Sequence, residues 1–282
     1  MESLQSDKLA LQWYRSLTNT TAGAWLNQTP KHPSMLIPSH QFNICLLLRL
    51  HQPIPLCPPN SSCDCKNHPK LDVYGKHLAV GCNMDNRRSN SHNMVQRELY
   101  QCIRHNGFYA TMEDRIYHDS LGKIRVLRTD IAVINAPESK ATITHYDLRL
   151  SYPNQKDANS LETDDSAAME AAQAEKRAKY LQTCNQQDAE FRPLIIGIPG
   201  NMDKETLSLI NLVTERYSIA LGIKHAIVKR YWITRISCTL QRAIASAIIQ
   251  RSTSVNAKRS KFNDPSPSSI NMFDVIDTKH SR

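Results

Sequence analysis

The apolar positions of this chain change period several times, and each change marks an element. Over residues 1–52 they fall mostly at helical spacing: WYRSLTNTTAGAWLNQTP contains a turn, and HQFNICLLLRLHQ is a short, strongly apolar helix. A Pro-rich break, PIPLCPPNSS, follows at 53–62. In SHNMVQRELYQCIRHNGF (91–108), Met94, Val95, Leu99, Cys102 and Ile103 line one side of a helix. The period then drops to two. KIRVLRTDIAVIN (123–135) and ATITHYDLRLSY (141–152) alternate and are rich in β-branched residues, so they predict two strands joined by a hairpin loop at APESK. After a polar loop, DSAAMEAAQAEKRAKYLQTC (165–184) predicts an Ala-rich helix with acids at its start. FRPLIIGIPG (191–200) predicts a buried strand ending in a Pro-Gly turn. Helices are expected over 203–221 and 223–251, the second carrying Lys224, Lys229, Arg230, Arg235, Arg242 and Arg251. Residues 252–282 are rich in Ser, Asn and Lys and are expected to be disordered. The order predicts an α/β (α+β) fold, a small mixed sheet flanked by helices.

Composition narrows the class. A chain of 282 residues, 40% apolar and 22% charged, can bury a core as one large domain or two small ones. Lys and Arg outnumber Asp and Glu by 35 to 26, a net charge of +9. That balance suits a polyanionic partner, nucleic acid first, and equally suits plain solubility. No apolar run approaches the roughly 18 residues of a membrane span. The start, MESLQSDKLALQWY, lacks the layout of a signal peptide. The expectation is an intracellular protein without membrane contact. In a reducing compartment, clustered cysteines serve as metal ligands or scattered core residues rather than disulfides.

Such a cluster lies in CDCKNHPKLDVYGKHLAVGC. One residue separates Cys63 from Cys65, eleven separate Cys65 from His77, and four separate His77 from Cys82. Two close pairs joined by a short loop can place four ligands in the tetrahedron that zinc prefers. Gly75 and Gly81 permit tight turns. The intervening segment is too short and polar to fold around its own core, so a metal would supply the folding energy. Four protein ligands would close the site, making it structural. Cys57 and His68 are competing ligands, and loose cysteines on an irregular loop are the bland alternative.

Two acids mark the strands. With the hairpin centred between Glu138 and Ser139, residues whose numbers total 277 face each other, which sets Asp130 opposite Asp147 at a Cβ separation of roughly 5 Å. Opposed like charges destabilise a sheet, and a hard divalent cation would compensate. Ordinary solvated acids are the alternative.

The run AGAWL (22–26), FNICLLLRL (42–50), CDC…YGKHLAVGC (63–82), SHN (91–93), RTDI (128–131), YDLRL (146–150), EKRAKY (175–180) and FRPLIIGIPG (191–200) resembles the C-terminal region of non-LTR retrotransposon polyproteins. Those carry a CCHC zinc knuckle and a restriction-enzyme-like endonuclease. The likeness spans roughly residues 20–250. It implies a helical lead-in (1–52), a zinc knuckle (53–90), a PD-(D/E)XK-like nuclease domain (91–222), a basic C-terminal helix (223–251) and a tail. It also implies a nuclease that nicks target DNA so that reverse transcription can start from the exposed 3′ end.

Residue by residue, the first acid falls on Asp130 and the second on Asp147, together holding catalytic Mg²⁺. Zinc falls on Cys63, Cys65, His77 and Cys82. The basic residue falls on the following helix, at Lys176 or Lys179, with Tyr180 beside them. Thr129 stands where the family usually has Pro, and Arg149 where a D-x-K lysine would stand. Glu98 is either a third metal ligand or a surface charge. No Y/F-x-D-D polymerase motif occurs, so the implied partners are DNA, element RNA and a separately encoded reverse transcriptase, in the nucleus. The basic helix would track a DNA backbone. The alternative is an inert zinc-containing nucleic-acid-binding remnant of a retroelement.

Overall fold

Four strands form one sheet in the order of the chain: β1 (Ala110–Ser120), β2 (Lys123–Ile134), β3 (Ile143–Ser151) and β4 (Glu190–Gly197). The computed structural model describes residues 11–263, apart from 12, 28, 57–61, 64, 66–69, 83–86, 121–122 and 153–164. The expected polar loop, Cys57, His68 and the last part of the expected tail lie outside the described residues. β1 and β2 are antiparallel, β2 and β3 antiparallel, and β3 and β4 parallel. A parallel pair needs a crossover, and helix α4 (Asp165–Asn185) stands between the two in sequence.

The other helices are α1 (residues 13–18), α2 (Ser39–Arg49), α3 (Arg87–His105), α5 (Lys204–Leu221) and α6 (His225–Asn263). The pleat of β4 shows how they divide. Leu194 and Ile196 join one large core with Val95 and Leu99 of α3, Ile210 of α5 and Ile236 of α6. Ile195, between them, meets Met169 and Ala172 of α4. The sheet is thus covered on both faces, a mixed α/β architecture as the sequence order predicts.

The β2–β3 pairing runs Ile131↔Tyr146, Ala132↔His145, Val133↔Thr144 and Ile134↔Ile143. This is the expected register. The ladder ends at Ile131↔Tyr146, one step before the two acids. Strand β1 departs from expectation, since it was not predicted. Its sequence, ATMEDRIYHDS, is mostly polar because β1 is an edge strand with Ala110 and Ile116 buried.

Helix α6 departs further. It was expected as a basic surface helix ending at 251. It continues to Asn263, and Trp232, Ile236, Leu240, Ile244 and Ile248 are all buried. Arg251 is itself fully buried and donates to the Leu78 carbonyl. Arg235 pairs with Glu98 at 2.5 Å, and Lys229 donates to Asn211 Oδ1 at 2.7 Å. A helix apolar on most sides is an interior helix. Lys229, Arg235 and Arg251 are thus engaged within the fold, while Lys224 and Arg230 stay exposed.

At the other end of the sheet, the Pro-Gly turn after β4 docks on the AGAWL segment. Gly200 adopts φ +101, and a Cβ there would meet the Ala22 backbone at 3.4 Å. Thr21 Oγ1 donates to the Gly200 carbonyl at 2.9 Å and accepts from Met202 N at 3.2 Å. Two distant sequence motifs are therefore one contact.

Candidate active site and metal centre

The Cys/His segment builds its site around a carboxylate. Asp72 Oδ1 accepts from the backbone N–H groups of Tyr74 and Lys76, each at 3.0 Å, and Oδ2 accepts from His77 N at 3.2 Å. These bonds start a short π-helical turn, His77–Gly81, which leads to Cys82. Gly75, at φ +71, makes the preceding bend. Cys63 Sγ lies 3.5 Å from Cys82 Sγ, and Cys65 Sγ lies 3.4 Å from His77 Nε2.

All four ligand atoms fall within 4.8 Å of one another. Tetrahedral zinc bound by sulfur and nitrogen needs ligand atoms about 3.4–3.8 Å apart, so the donor set and its spacing fit. The cluster can hold a metal ion such as zinc. Burial, with the neighbouring Cys82 and Cys65 thiols, pushes the Cys63 thiol up to about 12 when no metal is bound. Burial and then the Arg251 charge hold His77 below its ordinary value, which keeps the imidazole neutral and able to ligate. Among the described residues, this is the one group of three or more His, Cys, Asp or Glu side chains arranged to hold a metal ion. No disulfide joins any of the seven described cysteines.

The two acids sit where β2 leaves β3. Asp130 turns its carboxylate across the gap, and Oδ2 accepts from Leu148 N at 2.6 Å. His92, from α3, places Nε2 3.1 Å from the same oxygen and 3.1 Å from the Leu148 carbonyl. Gln96, one turn on, donates to the Asp130 carbonyl at 2.7 Å. Asp147 is 3% exposed and forms an ion pair with Lys176 of α4. Burial, then the charge of Asp130, raises the Asp147 pKa, against the pull of Lys176 and the Tyr180 hydroxyl.

The two candidate lysines separate. Lys176 is on Asp147. Lys179 donates to Tyr180 Oη at 2.6 Å and lies over its ring. Tyr180 Oη in turn donates to the Arg128 carbonyl at 3.0 Å.

No protein-family model matches this chain, and no curated protein matches it. Its chemistry is therefore read from its own residues.

Glu98 is neither a ligand of this site nor a surface charge. It is buried between α3 and α6, bonded to Arg235 and 3.5 Å from Thr239 Oγ1. Arg149, at the position of the missing D-x-K lysine, pairs with Glu175 of α4. His92 and Gln96 were not singled out from sequence. The SHN motif contained the signal, but nothing in its spacing says that it faces Asp130. A cleft of about 230 Å³ opens between Ala79 of the metal turn, Ser91 and His92 of α3, Leu148 and Arg149 of β3, and Lys176 of α4. It joins the metal centre to the partners of both acids. Among the described residues, no helix is long and apolar enough to cross a membrane.

Proposed function

We propose that this chain is a metal-dependent DNA endonuclease domain of retrotransposon origin, with a PD-(D/E)XK-like core. Its reaction is phosphodiester hydrolysis that nicks target DNA for target-primed reverse transcription. The observation that carries the reading is the meeting of Asp130, Asp147 and Lys176 where β2 and β3 part, beside an open cleft. The motif resemblance implies the same two acids, with Lys176 or Lys179 as the basic residue.

The donor set fits a hard divalent cation. Two carboxylates lie close enough for the charge of one to raise the pKa of the other, and carboxylate oxygens are the ligands Mg²⁺ selects. Bound by Asp130 and Asp147, Mg²⁺ would neutralise charge at phosphorus and lower the pKa of the attacking water. The chain's own groups do the rest. Leu148 N and His92 Nε2 fix Oδ2 of Asp130 in place. Lys176 adds positive charge beside Asp147 and can orient the water. DNA is the substrate. Element RNA, a separately encoded reverse transcriptase and a nuclear location belong to the same proposal.

One observation favours a second reading, an inert zinc-containing nucleic-acid-binding remnant. Both carboxylates already have internal partners, and the cleft is lined by those partners, His92 and Lys176. Nicking of supercoiled plasmid with Mg²⁺ or Mn²⁺ decides between the two. Activity lost in both Asp130→Ala and Asp147→Ala, at unchanged zinc content, is the expected result. Zinc-loaded protein that binds DNA and never nicks it leaves the remnant.

A further inference from the structure

β2 pairs with β3 only over Ile131–Ile134, while its pairing with β1 runs on from Thr129↔Asp114 to Lys123↔Ser120. The far half of β1 and β2 is therefore a two-stranded ribbon that leaves the sheet. Glu113, at φ +56, marks the bend. One side of the ribbon is anchored: Ile116 and its cross-strand partner Leu127 pack on Tyr180, Cys184 and Phe191. The other side has no cover among the described residues. There Arg115 faces Arg128 directly, and Tyr117 faces Val126. Tyr117 is 55% exposed, Val126 54%, and the Arg128 side chain 64%.

Two arginines directly opposite on a strand pair repel each other. Glu113 reaches Arg128 at 3.3 Å and offsets one charge. Arg115 finds no carboxylate among the described residues. The arrangement opposes stability, and a polyanion would relieve it. A second copy of this chain would add like charge and is disfavoured. Arg128 stands two residues from Asp130 on the same strand, so whatever neutralises the arginines lies beside the reacting acids. A two-stranded ribbon also matches the width of the B-DNA major groove, whereas the major groove of an RNA duplex is too narrow to admit one.

We propose that the outer face of the β1–β2 ribbon docks against duplex DNA next to the acid pair, with Arg115 and Arg128 on phosphates flanking the groove. This rests on the reading that the chain acts on DNA, and it names the surface that would hold the duplex.

The test uses the zinc-loaded full chain, a labelled DNA duplex two to three turns long, and an RNA duplex of the same sequence. Affinities are measured across a salt series. Arg115→Thr/Arg128→Thr is expected to weaken DNA binding about tenfold or more and to lower the salt slope by about 1.8, the share of two phosphate contacts. Its thermal midpoint should hold or rise, since the exposed repulsion is gone. Tyr117→Ala should weaken binding without changing the salt slope. The RNA duplex should bind more weakly and respond less to the double substitution. DNA affinity and salt slope at the wild-type level in the double variant would overturn the proposal. So would a wild-type chain without duplex affinity, or an RNA duplex that matches DNA in both respects. Failure of the nuclease reading looks different. A chain that binds DNA through these arginines yet never nicks it keeps the ribbon and removes the nuclease.

Discussion

At the scale of single residues, the helix lysines are the sharpest case. Lys176 and Lys179 are three apart, and three residues along a helix leave two side chains on the same general side. The sequence could not choose between them; the fold does, by setting Lys176 on Asp147 and Lys179 on Tyr180. Lys176→Ala is expected to reduce nicking by about 10²–10³, the usual cost of removing one charge-stabilising group. Lys179→Ala should leave the rate within a few-fold of wild type. Equal losses in the two variants would refute this assignment. His92 gives a pH signature. Burial disfavours its charge, but the hydrogen bond and charge of Asp130 outweigh burial and hold the imidazole above its ordinary value of 6.5. A group with a higher pKa when folded lends its full stability below the unfolded value and loses it as pH rises through the folded one. In zinc-loaded, magnesium-free protein, urea unfolding should therefore show wild type leading Asp130→Asn by more near pH 6 than near pH 9. An NMR titration in which His92 changes charge below its ordinary value would contradict the sign.

At the scale of elements, legibility followed burial. β2 and β3 were readable, register included, because alternate apolar residues such as Ile131, Val133, Tyr146 and Leu148 enter the core. β1 was not, because its edge position lets MEDR and YHDS stay polar and leaves Ile116 as the one buried apolar anchor among the described residues of its outer half. α6 was read by its cations, while its apolar residues run nearly all round the helix. The fate of those cations depends on partners far away in sequence, such as Glu98 for Arg235. That ion pair, with both side chains about nine-tenths buried, should behave as an internal pair. Glu98→Ala is expected to cost about 3–5 kcal/mol in chemical denaturation, because it strands a buried guanidinium. Replacing Glu98 and Arg235 together by Met should recover most of that loss. A cost below about 1 kcal/mol for the single change would mean that water reaches the pair.

At the scale of the whole molecule, the metal centre and the acid pair share a wall. Ala79, inside the metal-binding turn, lines the same cleft as Lys176 and His92. Stripping zinc with a chelator should therefore lower the thermal midpoint and also abolish nicking, even with Mg²⁺ in excess. Readdition of zinc should restore both. Because the Cys63 thiol must lose its proton to ligate, zinc retention should weaken as the buffer is made more acidic. Nicking that persists after measured zinc loss would separate the two sites. The bond from Arg251 to the Leu78 carbonyl has a further consequence, in time rather than space. During synthesis the metal-binding turn emerges long before the residue that braces it. The turn must wait, open to solvent and to metal exchange, until about two thirds of α6 has left the ribosome. Contacts of such long sequence separation are slow to form. A refolding chain should accordingly bind its metal tightly only in the last kinetic phase, together with the docking of α6.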